Sequence, residues 1–347
     1  MFKLQTLLLL LAAYAAATWL PGPGLAARGW NILSLPIKPP EVLLAALLFS
    51  AGLCSSPGAL TSIMRTRGRF VVLASAAWLL PLAAVLLAVG VLWGLLNCPP
   101  QVALGMVVIA SMPVANSSVG WSTMMGGSVT LSIALLVVGT ALSPVLTPLA
   151  IGAGATTLGT AEQALTQTPW SSGMGVFFLT WVLAPVLLGV LIAGRLGPES
   201  RTWLKPIARR ASFVILLLLN YLNGAPCLPP LAERPQLLGW PVLGASCLLV
   251  VSFAASHLWL AVAGRALEKP SDTSHAGSPL RDSERASLML AVVMRNTGAA
   301  LVFAGAALPD FASVSLTIIA YTLLQHLWAG AVLAWGTASH TAQAEAA

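Results

Sequence analysis

The charged residues of this chain stand almost entirely in the gaps between ten long apolar runs, and that spacing limits what it can fold into. Charged side chains make up 8% of the 347 residues and hydrophobic ones 58%, whereas a soluble domain carries about 25% charge. A helix needs about 20 apolar residues to cross the hydrocarbon of a bilayer. The runs fall at 4–20, 37–54, 70–96, 101–125, 128–154, 172–194, 208–225, 237–264, 285–308 and 311–335. The predicted fold class is an all-α integral membrane protein of ten transmembrane helices, with the lipid bilayer as its first partner.

Basic residues orient such a chain, because loops rich in Lys and Arg stay on the cytoplasmic side. With the N-terminus inside, the inner gaps hold Lys3; Arg65, Arg67 and Arg69; Arg195, Arg201, Lys205, Arg209 and Arg210; and Arg265, Lys269, Arg281 and Arg285. The outer gaps hold only Arg28, Lys38 and Arg234. Both termini are therefore expected in the cytoplasm, and the expected location is a bacterial inner membrane. The net charge of +7 reflects this topology, so no nucleic-acid partner is predicted. The first run also has the lysine, apolar stretch and small residues of a signal peptide. A retained helix is the preferred reading; cleavage would leave nine spans in the same orientation.

The insert "LEKPSDTSHAGSPLRDSERAS", 267–287, reads as a flexible cytoplasmic loop. Cys54, Cys98, Cys227 and Cys247 form no CxxC pattern. Cys98 and Cys227 fall in loops on the same outer side, where free thiols are preferred over a pair. No metal or cofactor is predicted.

Two of the ten runs are interrupted. The fourth contains "SMPVANSSVGWSTMMGG", with Pro113, Asn116, Ser117, Ser118 and Ser122 in mid-span. Backbone at that depth must be hydrogen-bonded within the protein, so unwound chain survives only where it is buried or lines a wet cavity. Pro113 removes a donor and clashes with the preceding turn. Asn116, Ser117 and Ser118 are expected to bond the carbonyls so freed. The ninth run is broken in the same manner by Arg295, Asn296, Thr297 and Gly298. Each break lies in the fourth span of a group of five. Interrupted segments at corresponding places in two halves point to an inverted-repeat transporter. One membrane transporter domain is expected, with inverted five-helix repeats at about 1–155 and 170–340. Broken helices four and nine would cross at the midplane, where half-helix N-termini favour anions and unwound carbonyls favour cations.

An arginine at the bilayer centre costs at least ~2.5–3.5 kcal/mol. About 15 Å of helix separates Arg295 from the inner boundary, too far for full snorkelling. It either binds the carbonyls of the broken helix or is a fixed cation in the site, pairing with an anionic substrate or standing in for a mobile ion. Its planar fork suits carboxylate and sulfonate.

Several stretches resemble the bile acid:sodium symporter family, whose superfamily includes arsenite permeases and auxin efflux carriers. "PPEVLLAALLFSAGLCSSPGALTSIMRTRGRF" resembles its second span and the basic turn into the third. "ASMPVANSSVGWSTMMGGSVTLSIALLVVGTALSPVLTP" resembles its fourth and fifth spans. "WVLAPVLLGVLIAGRL" is similar to its sixth, and "AVVMRNTGAALVFA" to its ninth. The resemblance implies ten spans, a core of spans three to five and eight to ten, a panel of the other four, and alternating access.

Where sodium-coupled members supply Ser-Asn in span four, this chain has Ser118 and Val119; for Ser and Thr in span five it has Ser132 and Leu136. For the Glu and Gln of span nine it has Ala291 and Arg295, and a span-three Gln falls at Ala76. A guanidinium ~5 Å from sodium would repel it by roughly 3 kcal/mol at an effective dielectric of ~20. Sodium coupling is therefore doubtful, and a uniporter, an exchanger or a proton-coupled carrier is expected. His257 and His326 are the membrane-embedded histidines, and His326 resembles one in the family; a neutral, hydrogen-bonded role is preferred for each.

The leading functional reading is a secondary transporter of a small organic anion, with Arg295, Asn296, Thr297, Asn116, Ser117 and Ser118 as substrate-binding residues. An arsenite-type permease would need a cysteine in the first break and a carboxylate in the second, and neither is present. A non-transporting sensor or scaffold that keeps the fold is the alternative from another class. An enzyme is disfavoured, since paired carboxylates, a nucleophile motif and a phosphate loop are all missing from the sequence.

Overall fold

The computed structural model describes residues 2–32, 37–54, 67–158, 175–267 and 280–345. Among them every regular element is a helix: α1 (Phe2–Trp19), α2 (Pro21–Gly29), α3 (Pro39–Cys54), α4 (Arg67–Leu96), α5 (Pro100–Ser111), α6 (Asn116–Met124) and α7 (Val129–Thr157). A π-helical turn, Phe178–Leu183, leads into α8 (Ala184–Arg195). Then follow α9 (Pro198–Gly224), the short α10 (Pro230–Glu233), a 3-10 turn at Pro235–Leu238, α11 (Gly239–Leu267), α12 (Asp282–Val293), α13 (Thr297–Ala307) and α14 (Ala312–Glu345).

Among the described residues, five segments are long and apolar enough to cross a membrane: Phe70–Leu92, Val129–Gly154, Gly175–Arg195, Pro235–Val262 and Ala312–Leu333. A sixth is reached if the bent pair Leu8–Trp19 and Pro21–Gly29 counts as one span. The protein is thus an all-helical, multi-pass membrane protein. α9 falls short for a local reason: Arg209 and Arg210 open its apolar half, and Asn220, Tyr221 and Asn223 dilute the rest. α3, α5 and α13 are shorter apolar helices.

α1, α3, α8 and α9 pack against one another, and α4 through α7 pack with α11 through α14. The two groups meet where the π-helical turn before α8 touches α7, where α9 and α3 touch α13, and where α1 and α9 touch α14. α3 and α8 cross glycine to glycine: a Cβ at Gly52 would strike the Val186 carbonyl and the Gly189 Cα, and one at Gly189 would strike the Phe49 carbonyl and the Gly52 Cα. Small residues at such crossings let backbones approach closely.

Several boundaries differ from the sequence expectation: α9 starts at Pro198 rather than 208, and α14 runs to Glu345 rather than 335. The turn between spans one and two contains a helix, α2, set at 84° to the end of α1. Pro21 starts it, as proline suits a first helical position. The Tyr221 hydroxyl pins the bend, donating to the Leu20 carbonyl at 2.7 Å and accepting from the Gly24 amide at 3.1 Å. The expected loop 267–287 also ends early. Residues 268–279 lie outside the described residues, but α12 begins at Asp282. Asp282 and Glu284 stand in its positive first turn, and Glu284 Oε2 accepts from the Arg281 amide at 3.0 Å. A run of Asp, Ser, Glu and Arg that looks like loop by composition is a capped helix start.

All four cysteines are free thiols, with Cys98 and Cys227 buried.

Candidate functional site

Both predicted breaks are present, and they touch. α5 stops at Ser111 because Pro113 cannot continue it, and residues 112–115 run extended, with Met112 at φ −72°, ψ 152° and Ala115 at φ −71°, ψ 143°. The second break holds no proline. There Asn296 leaves helical geometry and caps α13, its Oδ1 accepting from the Ala299 amide at 3.0 Å. The extended segments form an antiparallel bridge between Val114 and Arg295. The Ala115 amide donates to the Met294 carbonyl and the Asn296 amide to the Pro113 carbonyl, both at 2.9 Å.

The Arg295 side chain is 1% exposed. Its Nη1 donates to the carbonyls of Ala77 at 3.0 Å and Ala291 at 3.3 Å. Its Nη2 donates to the carbonyls of Ala110, at 3.2 Å, and Met112. Each acceptor lacks a helical donor for a definable reason. The partner of Ala77 would be Pro81, which has no N–H. The partner of Ala110 would be Val114, which lies in the break. Met112 lies in the break itself. The Ala291 carbonyl would receive the Arg295 amide, which turns instead to Gln325 Oε1 at 3.1 Å. The guanidinium thus gathers the negative ends of α5 and α12 and a proline-freed carbonyl of α4. It also lies over the Trp78 ring, 5.6 Å from its centroid.

Two further side chains bond carbonyls at the breaks. Thr147 of α7 donates to the Ser111 carbonyl at 2.8 Å, and Tyr321 of α14 donates to the Val293 carbonyl at 2.7 Å. Asn116, Ser117 and Ser118 were the expected partners of the freed carbonyls; Arg295, Thr147 and the Asn296 amide take that place. Thr147 was not singled out in sequence, although "SPVLTP" marks its turn. A buried carbonyl left unpaired costs about 1–3 kcal/mol. Tyr321→Phe should therefore lower stability by about that amount, measured as the shift in thermal midpoint of the purified protein. An unchanged midpoint would remove the capping role.

The remaining predicted residues divide. Asn116 and Ser117 are partly exposed in the first turn of α6, whose N-terminus has no side-chain cap. Thr297 is buried beside Gln325, accepting from its Nε2 at 3.4 Å. Ser118 and Ser132, in the first turns of α6 and α7, are buried with hydroxyls that have no partner. Beside them Val119, Leu136 and Ala291 offer no side-chain oxygen; Leu136 and Ala291 are buried. His326 is buried with Nδ1 2.7 Å from the Thr322 carbonyl, and its ring meets Trp121 edge-on. His257 sits on an exposed face of α11 against Phe253. Thr140 and Ser143 of α7 bond backbone carbonyls, at 2.7 and 2.8 Å, and the helix runs on through Pro144 and Pro148.

A family model described as "Sodium Bile acid symporter family" matches residues 41–225, more than half of the chain. The match takes in α3 to α9 and the first break, and stops before the second. No curated protein matches the sequence.

Proposed function

Since the chain belongs to the sodium bile acid symporter family, and is therefore a membrane transporter and not an enzyme, we propose that it carries a small organic anion by alternating access with Arg295 in place of a coupling sodium. Counting each broken or bent pair as one and setting aside the four-residue α10, the described helices are read as ten spans in two inverted repeats with both termini cytoplasmic.

The observation that carries this reading is the destination of the Arg295 guanidinium. It binds carbonyl oxygens, three at the broken helices and one freed by Pro81 in α4, with no carboxylate among its hydrogen-bond partners. Oxygen-rich helix ends of this kind suit a hard cation, and here the cation is covalently attached. The residues at the family's ion positions do not fit sodium. Ser118 and Ser132 retain hydroxyls, but Val119, Leu136 and Ala291 supply hydrocarbon, and Arg295 supplies a like charge.

With its fork committed to carbonyls, Arg295 serves as the tethered ion rather than as the clamp on substrate. The substrate's negative charge is assigned to the uncapped N-terminus of α6, where Asn116 and Ser117 are partly exposed. Backbone amides and the helix dipole favour an anion there. Asn296 and Thr297 line the other half of the crossing.

The thermal midpoint of the purified protein is expected to be the same in sodium and choline buffers. An organic anion bound to the folded state alone should raise it equally in both. A midpoint raised by sodium alone, or anion stabilisation that requires sodium, would return the protein to ordinary sodium symport. Absence of flux for a panel of carboxylates and sulfonates in proteoliposomes would favour a sensor or scaffold.

A further inference from the structure

Away from the crossing, a second cationic position has donors without acceptors. Arg28, in the last turn of α2, is partly buried, and its Nη1 donates to Asn223 Oδ1 of α9 at 2.6 Å. Its Nη2 points at the Gly305 carbonyl of α13 at 3.5 Å. A Cβ at position 305 would lie 2.6 Å from that Nη2, so a side chain there would push the guanidinium aside from the end of α13. The contact orients the amide: a guanidinium only donates, so Asn223 must turn its oxygen toward Arg28. Its Nδ2 is buried with no partner, on a residue only 4% exposed.

Both hydrogen-bond acceptors of Arg28 are uncharged. The place therefore has a full positive charge, a spare buried amide N–H and no neutralising carboxylate among its hydrogen-bond partners. It lies at the end of α9 opposite Lys205, Arg209 and Arg210, at the junction of α2, α9 and α13. A polar stripe leads inward from it. Asn220, one turn earlier on the same face of α9, accepts from the Tyr14 hydroxyl at 2.6 Å. Tyr14 stands on α1, which packs against α14, the helix that carries Gln325 to the crossing.

We propose that Arg28 and Asn223 form a binding site for the carboxylate or sulfonate headgroup of an organic anion at the mouth of the transport path. The spare N–H groups of Arg28 and the orphaned Nδ2 of Asn223 would bind the headgroup oxygens. A cation at a low-dielectric mouth also raises the local concentration of anions. This inference rests on the carrier reading and adds to it a first station for the substrate, separate from α6.

Methanesulfonate is the probe, as its choline salt, titrated at constant ionic strength against choline chloride on the full-length protein. The wild type should show a saturable rise in thermal midpoint, and Arg28→Gln should lose it. Asn223→Asp is the deciding variant. It places a carboxylate against the guanidinium, so it should raise the midpoint in chloride. It should also shift half-saturation by methanesulfonate by about ten-fold or more, equivalent to the loss of ~1.4 kcal/mol of binding. No specific rise in the wild type, or equal half-saturation in Asn223→Asp, overturns the proposal. Flux of radiolabelled organic anions into proteoliposomes is read on the same preparations. Flux without the methanesulfonate shift removes the mouth site and leaves the carrier; the shift without flux leaves the mouth site and removes the carrier.

Discussion

Arg295→Ala is expected to cost roughly 3–5 kcal/mol of stability, the range for removing one partner of a buried charged contact. The variant loses four charge-assisted contacts, to the carbonyls of Ala77, Ala110, Met112 and Ala291. None of these acceptors has a helical donor to fall back on, and water does not reach a residue that is 1% exposed. Arg295→Lys should be intermediate, because an ammonium is a point charge on a flexible stem and cannot span the same four oxygens. The thermal midpoint and the yield of monodisperse protein would measure both. A second variant tests what the charge replaces. Arg295→Gln with Ala291→Glu removes the cation and supplies a carboxylate and an amide oxygen at the positions where sodium-coupled relatives are expected to hold them. Its midpoint should be low in choline and rise with sodium, by mass action on the folded state. If Arg295→Ala melts like the wild type, the tethered-ion account is wrong. If the double variant ignores sodium, the oxygen cage is not recoverable from these two positions.

The second large effect lies far from the crossing. Gly189→Ala is expected to cost about 1–3 kcal/mol, the range for overpacking, and Gly189→Val more. A methyl there meets backbone atoms of α3, namely the Phe49 carbonyl, the Leu53 amide and the Gly52 Cα. Backbone cannot rotate away as a side chain does, so the helices themselves must separate. Gly52→Ala should behave alike, since its Cβ would meet backbone of α8. The control is Gly90 in α4, where an added Cβ meets nothing within 4 Å. Gly90→Ala should be neutral or stabilise by about 0.5–1 kcal/mol, the helix propensity difference. Equal midpoints for Gly189→Ala and Gly90→Ala would show that the α3–α8 crossing is slack.

Both predictions bear on how far the fold could be read before the structure. The breaks at Pro113 and at Arg295–Gly298 were visible because polar groups inside apolar runs cost free energy in lipid wherever they stand. The bend after Trp19 was less visible: prolines and glycines in a short gap are as consistent with a turn as with α2. The start of α12 was hidden because Asp, Ser, Glu and Arg are loop-like by composition and helix-capping by position. At the site, Arg295 was recognisable as exceptional and the carbonyls of the broken helix were one of its two readings, but which carbonyls it reaches was not legible. Asn116, Ser117 and Ser118 were natural choices for the freed carbonyls, being nearby in sequence. The acceptors were instead served from 36 residues away by Thr147 and from 183 and 185 residues away by Arg295.

From the sequence alone follow the membrane class, the places where helices break and the presence of one unpaired cation within a span. Each depends on a local transfer cost that a residue incurs in lipid whatever surrounds it. Only the tertiary structure decided that the two breaks pair, that Gly52 faces Gly189, and that the guanidinium grips backbone. A carbonyl oxygen is common to every residue and leaves no mark in a sequence. Which carbonyls need a donor, and which distant side chain reaches them, depends on how the helices pack.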